Sequence, residues 1–95
     1  MKLLSESTLQ VVTAGTPVQI TIPDYAQGVT VINNYSDTRI FSVGKQATVD
    51  ALSTPPIGVV LGAGDSANLP ADFGTANLWL DASVSGSIAT IQIYG

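Results

Sequence analysis

An all-β domain, a single antiparallel β-sandwich of about seven to eight short strands, is the fold class this 95-residue sequence predicts. Helix formers are scarce: Glu6 is the only glutamate, Lys2 and Lys45 the only lysines, and Met1 the only methionine. Thr, Val and Ile dominate instead, residues whose branched side chains fit a pleated, half-buried surface. Nine glycines and five prolines then cut the chain into short runs, spaced as a jelly roll or an immunoglobulin-like sandwich requires.

The elements follow in order. Leu9 to Thr13 is the first predicted strand, stopped by Ala14-Gly15-Thr16-Pro17. In the second, Val18, Ile20 and Ile22 alternate with Gln19 and Thr21, the period of two that puts one face in a core and one in water. Pro23-Asp24 ends it, and Val29 to Asn33 forms the third, closed by turn-favouring Asn34-Tyr35-Ser36-Asp37. Arg39 to Val43 is the fourth. Lys45 to Pro56 breaks the pattern, because Pro55-Pro56 cannot lie in a central strand. It reads as a surface excursion with a short helical turn at Ala47 to Leu52.

Ile57 to Leu61 is a short apolar run, followed by the turn Gly62-Ala63-Gly64-Asp65, the strand Ser66 to Leu69 and a turn through Pro70-Ala71-Asp72-Phe73-Gly74. Asn77 to Asp81 and Ile88 to Tyr94 close the set, with Ala89, Ile91 and Ile93 on one face of the last strand. The chain thus reads as one domain over 8–95, preceded by residues 1–7 as a flexible arm. The start lacks the apolar stretch of a signal peptide, and no run approaches the length of a membrane-spanning helix.

Composition narrows the function. The chain has no histidine and no cysteine, and charged residues make up 11%, well below the roughly 25% usual in soluble domains. Three cations, Lys2, Arg39 and Lys45, against seven acidic residues give a net charge of -4. Nucleic acid is therefore not an expected partner, since its binding rests on Lys and Arg neutralising phosphates. An anionic membrane is disfavoured for the same reason. A surface this poor in charge suits burial in an assembly, or else a small and very stable free domain.

Candidate chemistry is thin. Serine catalysis needs an activating base; Ser66 in Gly64-Asp65-Ser66-Ala67 lacks one and lacks the second glycine of a nucleophile elbow. The acidic residues lie singly, and Asp24, Asp37, Asp65 and Asp72 suit turn capping. Zinc and copper lack their preferred ligands, and no calcium-loop spacing occurs, which leaves a loop site at Asp65 or Asp72 as the remaining calcium option. Gly58 to Gly64 lacks the Gly-Lys-Ser/Thr ending of a phosphate loop. No enzyme, cofactor or metal is expected. Sugar stacking would fall to aromatics, with Tyr25, Tyr35 and Trp79 as the set for a carbohydrate-binding or host-attachment module. Trp79 lies between Leu78 and Leu80, so alternation buries either it or both leucines; a core or inter-subunit Trp79 is the reading taken.

From Val29 onward the order of segments resembles small β-sandwich structural proteins of tailed bacteriophages, of the head-decoration or head-fibre type. The likeness runs through Val31-Ile32-Asn33-Asn34 and Thr38-Arg39-Ile40-Phe41-Ser42-Val43-Gly44. It continues in Ile57-Gly58-Val59-Val60-Leu61-Gly62-Ala63-Gly64-Asp65-Ser66, Ala76-Asn77-Leu78-Trp79-Leu80-Asp81-Ala82, and the closing Ser85 to Tyr94. Val60 stands where proline is common in that group, and the Lys45 to Pro56 loop is longer. The resemblance implies a non-enzymatic virion subunit, a homotrimeric capsid decoration (cement) or head-fibre protein. It would be made in the host cytoplasm and carried on the capsid surface, with the major capsid protein or another virion protein as partner. Contact residues expected on that reading are Leu3, Leu4 and Leu9 of the arm and Ala51, Leu52, Pro55 and Pro56 of the long loop.

Overall fold

The computed structural model describes residues 2–70 and 77–95, and within them eight strands and no helix. They are β1 (Leu3–Val11), β2 (Val18–Ile20), β3 (Gly28–Ile32), β4 (Phe41–Gly44), β5 (Val59–Leu61), β6 (Ser66–Pro70), β7 (Leu78–Ala82) and β8 (Ser87–Tyr94). Two four-stranded antiparallel sheets result, ordered β1-β8-β3-β6 and β2-β7-β4-β5. The first strand pairs with the eighth, the second with the seventh, the third with the sixth and the fourth with the fifth. That is one long antiparallel hairpin rolled on itself, and the β3–β8 and β4–β7 pairings close the roll. Of the two sandwich types expected, the strand order is that of a jelly roll.

Antiparallel alternation gathers the β1–β2, β3–β4, β5–β6 and β7–β8 connections at one end of the sandwich. Hydrogen bonds tie these connections together: Gly86 N to Val11 O (2.8 Å), Ser83 N to Ile40 O (3.0 Å) and Asn33 N to Asp65 O (2.9 Å). At the opposite end, Gln27 N donates to Tyr94 O (2.7 Å).

The core is built from the inward residues of each alternating strand: Val29 and Val31 of β3, Phe41 and Val43 of β4, Leu78 and Leu80 of β7, and Ala89, Ile91 and Ile93 of β8. Register brings like with like, since Val29 faces Ile93 and Val31 faces Ile91 across the β3–β8 ladder. The Tyr35 ring packs on the edge of this cluster, its centroid 6.3 Å from that of Phe41.

One polar side chain joins the two sheets from inside. Asn33, fully buried at the end of β3, donates from Nδ2 to Leu61 O of β5 (3.0 Å) and to Arg39 O (3.2 Å). Its Oδ1 accepts from Tyr35 N (3.0 Å). Both amide donors and one acceptor are therefore engaged where the chain leaves one sheet for the other, a place no ladder can serve.

Three expectations are corrected. Residues 3–7, read as a flexible arm, are the first half of β1, with Leu3 opposite Tyr94 and Ser7 opposite Ile91. Lys2 and Gly95 add a reciprocal backbone pair (2.9 and 3.0 Å). The long loop holds no helical turn at Ala47 to Leu52; it bends back on itself through an Asp50–Ile57 bridge. Of the core or inter-subunit reading of Trp79, the core alternative falls: Leu78 and Leu80 are in the core, and Trp79 is half-buried on the other face of β7. The expected turn through Asp72 and Phe73 lies outside the described residues.

Two substitutions test this core. Leu80→Ala removes a fully buried side chain and is expected to cost about 2–5 kcal/mol. Asn33→Ala strands two carbonyls and one N–H, and is expected to cost on the order of 2–4 kcal/mol. Urea unfolding followed by circular dichroism reads both, and an Asn33→Ala midpoint equal to the parent's would contradict the assigned role.

Candidate functional site

The outer face of the second sheet carries Gln19 of β2, Trp79 and Asp81 of β7, Ser42 and Gly44 of β4, and Val60 of β5, as the register requires. Part of it is covered by the 45–57 segment, which crosses it like a strap. Val49 and Ala51 of the strap are buried. The close fit explains two glycines. A Cβ at Gly44 would lie 2.7 Å from Val49 Cγ1, and one at Gly58, where φ is +115°, would lie 2.9 Å from Val43 O.

Asp81 holds the strap in place. Its side chain is completely buried on the outer face of β7; Oδ2 accepts from Ala51 N (2.7 Å) and Oδ1 from Gly15 N (2.9 Å). One carboxylate thus fixes the middle of the strap and the β1–β2 turn. Opposite it in the β4–β7 ladder stands Ser42, whose buried Oγ has no hydrogen-bond partner among the described residues. The strap is also braced internally: Leu52 N donates to Asp50 Oδ1 (2.9 Å), and Ser53 Oγ donates to Pro55 O (2.9 Å).

The expected contact residues divide under this geometry. Leu3 and Leu4 are exposed on the outer edge of the first sheet, whereas Leu9 packs partly against the core. Leu52 and Pro55 are exposed, Pro56 is half-buried, and Ala51 is buried and bonded to Asp81, out of reach of a partner. Leu3 and Leu4 belong to one sheet and the strap covers the other, so the residues form two surfaces.

The aromatic set is not assembled either. Tyr25 is exposed in the β2–β3 connection, and Tyr35 lies in the β3–β4 connection at the opposite end. The Tyr35 ring is engaged on several sides: Arg39 Cζ sits 3.9 Å from its centroid, and its hydroxyl accepts from Ile88 N (3.0 Å). Trp79 lies on the outer face of the second sheet, paired with Gln19 and Gly44.

Sequence reasoning missed the exposure of β5. Val59 and Val60 are 46% and 44% exposed although successive strand residues point to opposite faces, and Ile57 beside them is 50% exposed. β5 ends its sheet, so its backbone edge has no strand partner among the described residues. The run Ile57 to Leu61 carries no alternation of apolar and polar residues, so nothing in it marks which side chains are exposed.

Of the residues expected to cap turns, Asp37 and Asp65 do so. Asp65 Oδ2 accepts from Gly62 N (2.9 Å), and Asp37 accepts from Arg39 N (3.1 Å) and from Arg39 Nε (2.8 and 3.0 Å). Among the described residues, no three of His, Cys, Asp and Glu converge on a point. The Arg39 side-chain hydrogen bond, and after it the backbone bond from the same residue, hold the Asp37 carboxyl below its ordinary value of 3.8. The same bond raises the guanidinium.

Two outcomes are expected. Asp81→Ala should lower stability by about 2–4 kcal/mol and open residues 45–56 to proteolysis, while Ser42→Ala should be neutral or stabilising because it removes an unpartnered hydroxyl. A protease-resistant Asp81→Ala strap would contradict the latch. For Asp37, a depressed folded-state value means its contribution is present above about 3.8 and lost as pH falls through the folded value. The parent should melt above Asp37→Asn at neutral pH, with the gap closing in acid; a gap that persists at low pH would rule out the ionised pair. No protein-family model, curated protein or solved structure matches this chain.

Proposed function

We propose that the chain is a non-enzymatic structural subunit of a bacteriophage virion, a capsid decoration or head-fibre protein that docks through uncovered strand edges. Three features support this reading: the segment order from Val29 onward, the low charge of the surface, and the β5 and β1 edges, two of the four terminal strands. The observation that carries it is β5. Apolar side chains are exposed on both sides of a terminal strand, and an incoming strand or lattice groove covers both sides at once where a single packed helix covers only one. β1 adds a second edge, nine residues long, with Glu6 as its only charge. The partner is the major capsid protein or another virion protein, the subunit is a homotrimer, and the site of action is the capsid surface.

Binding on such a lattice draws its energy from buried apolar area, roughly 25 cal/mol per Å² before association costs. Repetition of the contact then raises the avidity of single weak sites. Because residues 3–7 are part of β1, deleting them would damage the fold, so substitutions at the edge are the cleaner probe.

Light scattering at two concentrations, followed by sedimentation with capsids that lack the subunit, tests the reading. A concentration-independent threefold mass is expected, with parent protein co-sedimenting and Val60→Lys binding at least tenfold more weakly at an unchanged melting temperature. A monomer that fails to co-sediment would overturn the proposal.

A further inference from the structure

The outer face of the first sheet is organised in rows by the register of β1, β8, β3 and β6. One row runs Leu3, Tyr94, Gly28, Pro70, and the next runs Glu6, Gln92, Thr30, Asn68. Gly28 contributes no side chain to its row, so a gap opens between the Tyr94 and Pro70 positions. The result is a trough of about 470 Å³ over backbone of β3 and β6, bordered by Gln27, Thr30, Asn68, Pro70 and Tyr94. That size falls in the range of small-molecule sites, roughly 300–1,000 Å³.

The polar groups around it are ordered. Thr30 Oγ1 donates to Asn68 Oδ1 (2.5 Å) beside the floor. Tyr94 Oη donates to Gln92 Oε1 (2.9 Å), and Gln92 Nε2 donates to Glu6 Oε1 (3.1 Å). The chain thereby fixes the Tyr94 phenol and the amide next to it. None of the described lining residues is charged, so a phosphate, sulfate or acidic sugar would find no counter-charge among them in a chain of net charge -4. A purely apolar peptide would leave the amides without partners.

From this combination we infer that the trough is a binding site for an uncharged pyranose, a neutral hexose or N-acetylhexosamine unit of a glycan. The Tyr94 ring takes the C–H face of the sugar, while Gln27 and Asn68 hydrogen-bond its hydroxyls. The site lies on a sheet face and includes no residue of β1 or β5, the edges on which the virion reading rests, so it is independent of that reading. It also differs from the aromatic set read in the sequence: Tyr35 lies at the other end of the sandwich, and Trp79 lies on the outer face of the other sheet.

A glycan array probed with labelled protein, then an amide NMR titration with the methyl glycoside of the sugar retained, tests the assignment. Neutral glycans should be retained, with shifts centred on Gly28, Thr30, Leu69 and Tyr94. Gln27→Ala combined with Asn68→Ala should weaken binding at least tenfold with the melting curve preserved. If that pair fails to fold, Gln27→Ala alone, in an exposed loop, should still weaken it severalfold. An array with no neutral glycan retained, shifts centred on Trp79 or Tyr35, or undiminished binding by the variants would overturn it.

Discussion

The fold depends on how a rolled hairpin satisfies its backbone where the chain changes sheets. A ladder satisfies its own N–H and C=O groups, but each crossing from one sheet to the other leaves some without partners, and burial makes such groups costly. Asn33 resolves the crossing between β3 and β4. Its amide is the right group because the site presents two carbonyls and one N–H, a demand that a carboxylate or a hydroxyl cannot match. The hydrophobic core packs around this fixed point: Phe41 follows within two residues of Arg39, whose carbonyl Asn33 holds, and Leu61 enters from the other side.

Asp81 plays the corresponding part on the outside of the second sheet. It accepts two backbone N–H groups with no cation bonded to it among the described residues, and so converts a long loop into a third layer over part of the outer face of the second sheet. The neighbouring Ser42 hydroxyl shows that this layer is not fully optimised. Elsewhere the charge economy is local: the Asp37–Arg39 pair (2.8 Å) is solvent-facing and braces a connection already secured by Asn33 and Tyr35.

Much of the sandwich was legible in the sequence because alternation and turn chemistry are local. β2 and β8 carry a clean period of two, and Gly15, Pro17, Gly64 and Gly86 mark turns that do occur. What was not legible depended on pairing. Alternation says that Trp79 and its leucine neighbours face opposite ways but not which way is inward; that sign comes from Val18 and Ile20 lying opposite Leu80 and Leu78 in β2. The first half of β1 has water on both faces of an edge strand and therefore no pattern to read, only a long β8 that needs a second partner. Asp81 looked like a polar strand end because the loop that buries it arrives from 30 residues away. The trough depends on which strands flank Gly28, which no local pattern records.

The strap has one consequence for how this sequence can vary. On the outside of the second sheet, Gly44, Asp81 and the strap residues fit one another closely, so a change at one position needs a matching change at another. On the outside of the first sheet, Thr8, Thr90, Gln92 and Thr30 stand in rows with no described segment latched over them. Side chains there can be exchanged one at a time at little cost to the core. The molecule is therefore divided into a conservative face and a permissive one, and new specificity can accumulate on the permissive face while the other preserves the shape.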